Sequence, residues 1–150
     1  MNKAFVREPE IDSRPRCPRC GSLGDSVEKA TLDHHVQPDS RRQIDNTAWF
    51  CTYARCDVAY FDLFERCVTV DELQAPVYPK DIDAPVCACF DFTIEDIDSD
   101  VQAGTPTRIR ELLKKSETPD AQCHICAANG QCCTREIQRL YMKQTAESDL

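Results

Sequence analysis

Eleven of the 150 residues are cysteines, and they fall in two groups. Cys17, Cys20, Cys51, Cys56 and Cys67 precede residue 76, and Cys87, Cys89, Cys123, Cys126, Cys132 and Cys133 follow residue 86. Thiols can act as nucleophiles, pair as disulfides or bind soft metals, so compartment and spacing decide which chemistry applies. The N-terminus, MNKAFVREPEIDSRPR, has no apolar core of signal-peptide length. The expected location is therefore the cytoplasm, where thiols stay reduced. An odd cysteine count also fits a disulfide framework poorly. Metal ligation is the expected use.

In Cys17-Pro18-Arg19-Cys20-Gly21 the two-residue spacer puts both sulfurs on one side of a tight turn. The following glycine lets that turn close with backbone amides facing the thiolates. Cys51 and Cys56 have four residues between them, within the spacing of zinc pairs. Two such pairs make a closed tetrahedral S4 site of structural type, with zinc the expected metal and iron its rival. A lone CxxC also occurs in redox motifs, but no βαβ pattern surrounds Cys17. His34 and His35 read as polar strand residues, since four thiols fill the shell, and Cys67 reads as a small buried hydrophobe in a strand.

The second group has a different pattern. Two sulfurs one residue apart, as in Cys87-Ala88-Cys89, can bind a single iron of a cluster with backbone amides pointing at the sulfides. A second pair, drawn from Cys123, Cys126, Cys132 and Cys133, would have to reach the other iron. The 33 residues between Cys89 and Cys123 leave room for a helical hairpin that returns the chain to its start.

The elements that must position these groups divide near residues 76–86, where APVYPKDIDAP reads as a proline-rich linker. Before it, from about residue 13 to 75, the patterns are strand-like. Val27 to Val36 alternates loosely, Ala48–Cys51 and Val58–Phe61 are short and aromatic-rich, and Cys67–Val70 adds a further segment. From residue 87 to about 145 they are helical. Thr93 caps a helix over about 94–103, with Asp96 at its third position and Gly104 past its end. Thr105-Pro106 opens a second helix to about Lys115, with Ile109, Leu112 and Leu113 as its apolar face. A third runs from Thr134 to about Lys143, and the closing TAESDL is expected to fray. The expected fold class is α+β, a small β-hairpin zinc module followed by a helix-turn-helix module. The closed first site stands apart from the helical half, so losing it should leave the second site partly intact.

CACFDFT, the helical hairpin, CHICAANGQCC and the final helix resemble the [2Fe–2S] domain of bacterioferritin-associated ferredoxin (BFD). The whole span from Cys17 to Tyr141 is similar to the N-terminal domain of the archaeal copper chaperone CopZ family, including CPRCG and WFCTYARCDVAYFD. That resemblance implies a zinc module and a BFD-like [2Fe–2S] module in this order. It makes Cys87 and Cys89 one iron pair and Cys123 and Cys133 the other, Cys133 lying just before the last helix where the dipole favours a thiolate. The chain departs from the pattern at Cys126, so a Cys123–Cys126 pair stays open, with Cys132 a third candidate. The resemblance implies electron transfer in copper or heavy-metal homeostasis, including reduction of Cu(II) to Cu(I). Archaeal members carry a further MxCxxC copper-carrying domain that this sequence lacks, so a partner protein is expected to carry the copper. Other roles for the same module are a ferredoxin-like donor, as for iron release from a ferritin, and a redox or metal-stress sensor.

The formal charge of −8 and the absence of any Lys/Arg run longer than two argue against a nucleic-acid partner. No segment approaches 18 consecutive apolar residues, which argues against a membrane span. No nucleotide loop or Ser–His–Asp pattern appears, so an enzyme is not expected. Metal ions and a protein redox or copper-handling partner are the expected partners. Glu95, Asp96, Asp98 and Asp100 give the first helix an acidic character suited to steering a basic partner or simply to solvation.

Overall fold

The computed structural model describes residues 15–148. The N-terminal stretch read above for targeting, the first residues of the expected zinc module and the final Asp149-Leu150 lie outside them. Four short strands form one antiparallel sheet in sequence order: β1 (Gly24–Val27), β2 (Ala48–Cys51), β3 (Val58–Asp62) and β4 (Cys67–Thr69). The register sets Gly24 against Cys51, Trp49 against Phe61 and Phe50 against Tyr60. Aromatic cross-strand pairs of this kind are the unit of sheet stabilisation, and the Trp49 and Phe61 rings are stacked at 6.3 Å.

Between β1 and β2 the chain forms two short helices, α1 (Lys29–His35) and α2 (Pro38–Arg41). The loose alternation over Val27–Val36 therefore ends in a helix rather than a strand. Thr31, Leu32 and His35 are its buried residues. Their i, i+1, i+4 spacing is that of one helix face, and it lays Leu32 and Val36 on the sheet beside Ile44, Phe50 and Tyr60. Every residue of β3 is buried, because helices cover one face and the first cysteine set the other.

The helical half follows the expected pattern closely. In α3 (Ile94–Ala103), the Asp96 N–H donates to Thr93 Oγ1 while the Asp96 carboxylate accepts from the Thr93 N–H, and Gly104 closes the helix at φ 80°. α4 (Thr107–Ser116) follows, with Pro106 as its N-cap, one residue ahead of the helix proper. After the one-turn α5 (Cys123–Cys126) comes α6 (Thr134–Ser148), which continues through Ala146 and Glu147, both good helix formers, where fraying was expected. Ile97, Ile109, Leu112, Ile137 and Leu140 pack together around Cys87 and Cys133.

Asp100 is not part of an acidic solvated face. It is fully buried and accepts from the Arg108 and Ile109 amides, at 3.2 and 2.9 Å, and from the Arg108 guanidinium. Those amides belong to the otherwise unpaired first turn of α4, so one carboxylate locks α3 to α4. Asp100→Ala strands these donors and should cost about 3 kcal/mol in a denaturant or thermal melt. A change within about 0.5 kcal/mol would mean that the lock contributes little.

The 76–86 segment is packed rather than free. Val77, Ala84 and Val86 are buried, and Lys80 donates to the carbonyls of Tyr53 and Cys56. The two halves also share a core: Ala128, from the loop before α6, sits among Val27, Leu32, Phe50 and Tyr60. They are therefore not separate, contrary to the expectation drawn from the closed first site.

Candidate metal centres

The first cysteine set converges. The Cys17 amide donates to the Ser22 carbonyl and the Gly21 amide to the Cys17 carbonyl, which closes the knuckle, with Gly21 at φ 78° where a side chain would be strained. Cys51 ends β2, and the Cys56 amide donates to Tyr53 in the turn leading into β3. Antiparallel pairing of β1 with β2, which sets Gly24 against Cys51, brings that second turn to the first. The four Sγ atoms all lie within 4.8 Å of one another, with Cys20–Cys51 at 3.5 Å and Cys17–Cys56 at 3.9 Å. A tetrahedron with metal–sulfur bonds of 2.3 Å has sulfur edges of about 3.8 Å, so the thiols fit a zinc ion directly. Among the described residues this is the one set of three or more ligand groups drawn so close.

Four thiols so near cannot all ionise unaided. Burial pushes the Cys51 thiol up to about 12 and raises Cys56 as well. Burial opposes charge at Cys20 too, but hydrogen bonds from the Ser22 hydroxyl and amide outweigh it and bring that thiol down to about 6. A bound dication removes this competition by taking all four as thiolates. Cys67 lies half-buried against this set on β4, as a packing residue.

The second set assembles differently. Cys87 and Phe92 exchange both backbone hydrogen bonds, closing a turn that carries Cys89. Both thiols face the last loop: Cys89 Sγ lies 3.9 Å from Cys123 Sγ, while Cys87 is buried in one cluster with Cys133. The neighbouring Cys133 thiol, helped by the Phe90 and Cys89 amides, lowers Cys87 to about 6, and the Cys87 thiol together with burial raises Cys133. Burial lifts Cys123 to about 12. Cys133 is buried at the start of α6, its carbonyl accepting from Ile137. Cys126 neighbours Cys89, and the exposed Cys132 meets the Thr134 hydroxyl at 3.4 Å.

His34 and His35 are on α1, not on a strand. Burial, then His34, depresses His35 to about 4. The carbonyls of Ile125, Cys126 and Ala127 face its ring, yet none meets Nε2 in hydrogen-bonding geometry. A cavity of about 670 Å³ opens beside both halves, with His34, His35, Tyr78, Cys132, Cys133 and Glu136 in its lining. The composition offered no sign of this cleft, because its walls come from segments far apart in the chain. No helix among the described residues is long and apolar enough to cross a membrane.

A short antiparallel sheet whose two turns deliver four thiols to tetrahedral spacing defines a cysteine-rich zinc-binding domain, and residues 14–74 match a family model of that kind, zf_CopZ, a zinc binding domain. Over 84% of its length the chain is similar to the crystal structure of the Archaeoglobus fulgidus CopZ N-terminal domain, covering 97% of that domain with a TM-score of 0.71 and 24% sequence identity. At that identity the likeness establishes the fold, helical half included. No curated protein matches the chain.

Proposed function

We propose that this is a zinc- and [2Fe–2S]-binding electron-transfer protein of copper or other heavy-metal homeostasis, with zinc on Cys17, Cys20, Cys51 and Cys56 and a BFD-like site on Cys87, Cys89, Cys123 and Cys133. The observation that carries this reading is that the second set does not close into one tight quartet, while Cys89 and Cys123, from its two segments, lie 3.9 Å apart. A single ion draws four thiols together, whereas a two-iron group spreads them as two pairs. The 3.9 Å Cys89–Cys123 separation is that of two thiolates on one tetrahedral metal.

When bound, such a group accepts and donates one electron at a time. The chain's residues hold and insulate it: the Cys89 and Phe90 amides face the Cys87 sulfur, and Ile97, Ile109 and Ile137 exclude water behind it. Cys133 lines the open cleft, which gives a partner or a Cu(II) substrate an approach to the site. One electron taken from a cellular donor and passed to Cu(II) yields Cu(I), and the resemblance to copper chaperones supports that setting. This is a carrier's task, and no catalytic residue is assigned.

Protein purified without oxygen should hold one zinc, two irons and two acid-labile sulfides per chain, by elemental and sulfide analysis. Protein with zinc alone, or with four irons, would overturn the [2Fe–2S] assignment.

A further inference from the structure

The loop bearing Cys123, Cys126, Cys132 and Cys133 is fastened to the zinc-bearing half by two fully buried hydroxyls. Tyr60, in the middle of β3, donates its phenol to the Ala128 carbonyl at 2.6 Å. Thr31 of α1 donates to the His124 carbonyl. Around these anchors Ala128 is buried among Val27, Leu32 and Phe50, and Gly130 lies against Val27 and the Ser26 carbonyl. The buried Ala128 carbonyl would bear a desolvation penalty on losing its donor, so the fastening is directional and not merely greasy. β3 also follows Cys56 by two residues and pairs with the strand ending in Cys51. The same short strand therefore places a zinc ligand near one end and a loop anchor at its centre.

We infer that Tyr60 and Thr31 are positioning residues for the second metal site: they hold the carbonyls of the 123–133 loop against the zinc half, and so tie the placement of Cys123 and Cys133 to the integrity of the first cysteine set. For the two-iron group this rests on the function proposed above, but the tie itself concerns the loop. Its consequence is that the zinc-bearing sheet sets how firmly, and in what hydrogen-bonded surroundings, the second site holds its metal.

Tyr60→Phe and Thr31→Val each remove one hydroxyl and keep the packing shape. In zinc-loaded, iron-free full-length protein, iodoacetamide labelling followed by mass spectrometry should show Cys123 and Cys133 reacting faster than in wild type by on the order of tenfold. The Cys17–Cys56 set and the zinc content should be unchanged. In anaerobically iron-loaded protein the visible absorbance should decay faster under a chelator, and its midpoint potential should shift from the wild-type value. Should Tyr60→Phe lose its zinc, Thr31→Val, which touches neither zinc-bearing turn, gives the reading. Labelling rates equal to wild type in a zinc-loaded variant would overturn the inference. Wild-type protein that takes up no iron would overturn the proposed function instead, leaving the labelling result to decide the tie.

Discussion

Replacement of Cys56 by serine should unfold the four-stranded sheet and release zinc. Cys56 is buried two residues before β3, and its sulfur accepts from the Val58 amide at 3.5 Å. The strands it organises are only three to five residues long, and sheets so small have little stability of their own. Structural zinc contributes about 10–16 kcal/mol in small modules, as much as the whole stability of an ordinary domain. The hydrophobes nearest the site, Val58 and Phe61, pack directly on Cys17, Cys51 and Cys56, so they lose their partners with the metal. Because Ala128 and its loop rest on this sheet, the visible absorbance of iron-loaded protein should fall together with the zinc, instead of partly surviving as separate halves would allow. Zinc analysis, far-UV circular dichroism and amide exchange across 24–62 measure the effect. A Cys56→Ser protein that keeps its zinc and its protected sheet would show that the site is not the staple inferred here.

Single alanine substitutions at Cys87, Cys89, Cys123 and Cys133 should each abolish the [2Fe–2S] absorbance, while Cys126→Ala and Cys132→Ala leave most of it. The two kinds of thiol differ in setting. Cys87 and Cys133 are buried in one cluster, and Cys89 and Cys123 lie 3.9 Å apart. Cys132 is exposed and turned to Thr134. Cys133 also holds the first position before α6, where unpaired amides and the helix dipole favour a bound thiolate. Since Cys132 is adjacent, a swap could mask a single change, and the Cys132/Cys133 double variant closes that route. A Cys126→Ala protein unable to hold iron would make Cys126 a ligand of the second site.

Where a feature is encoded within one turn of chain, it was legible in the sequence. Thr93, Asp96 and Gly104 marked both ends of α3, and the CxxCG and Cys51–Cys56 spacings marked the zinc turns. Where two local signals competed, the reading slipped. Over Val27–Val36 loose alternation suggested a strand, but Leu32 and Val36 had a sheet to pack on and a helix places both against it. Asp100 looked like one more surface acid, because its partners at Arg108 and Ile109 appear only when α4 folds back. The least legible feature is the union of the two halves. Tyr60 meets Ala128 across 68 residues and Thr31 meets His124 across 93, and neither contact leaves a periodic trace. One signal did exist: Val58–Phe61 is apolar without interruption, which is how a strand covered on both faces reads.

The stacked Trp49–Phe61 pair has a practical side. Trp49 is the single tryptophan of the chain, and it packs against the cluster of side chains around Cys17, Cys51 and Cys56. Indole fluorescence therefore reports on one half alone, while iron–sulfide charge-transfer colour would report on the other. Loaded with both metals, the molecule would thus carry two optical channels to follow in the same cuvette, and the delay between them on adding a chelator would give the order in which the halves let go.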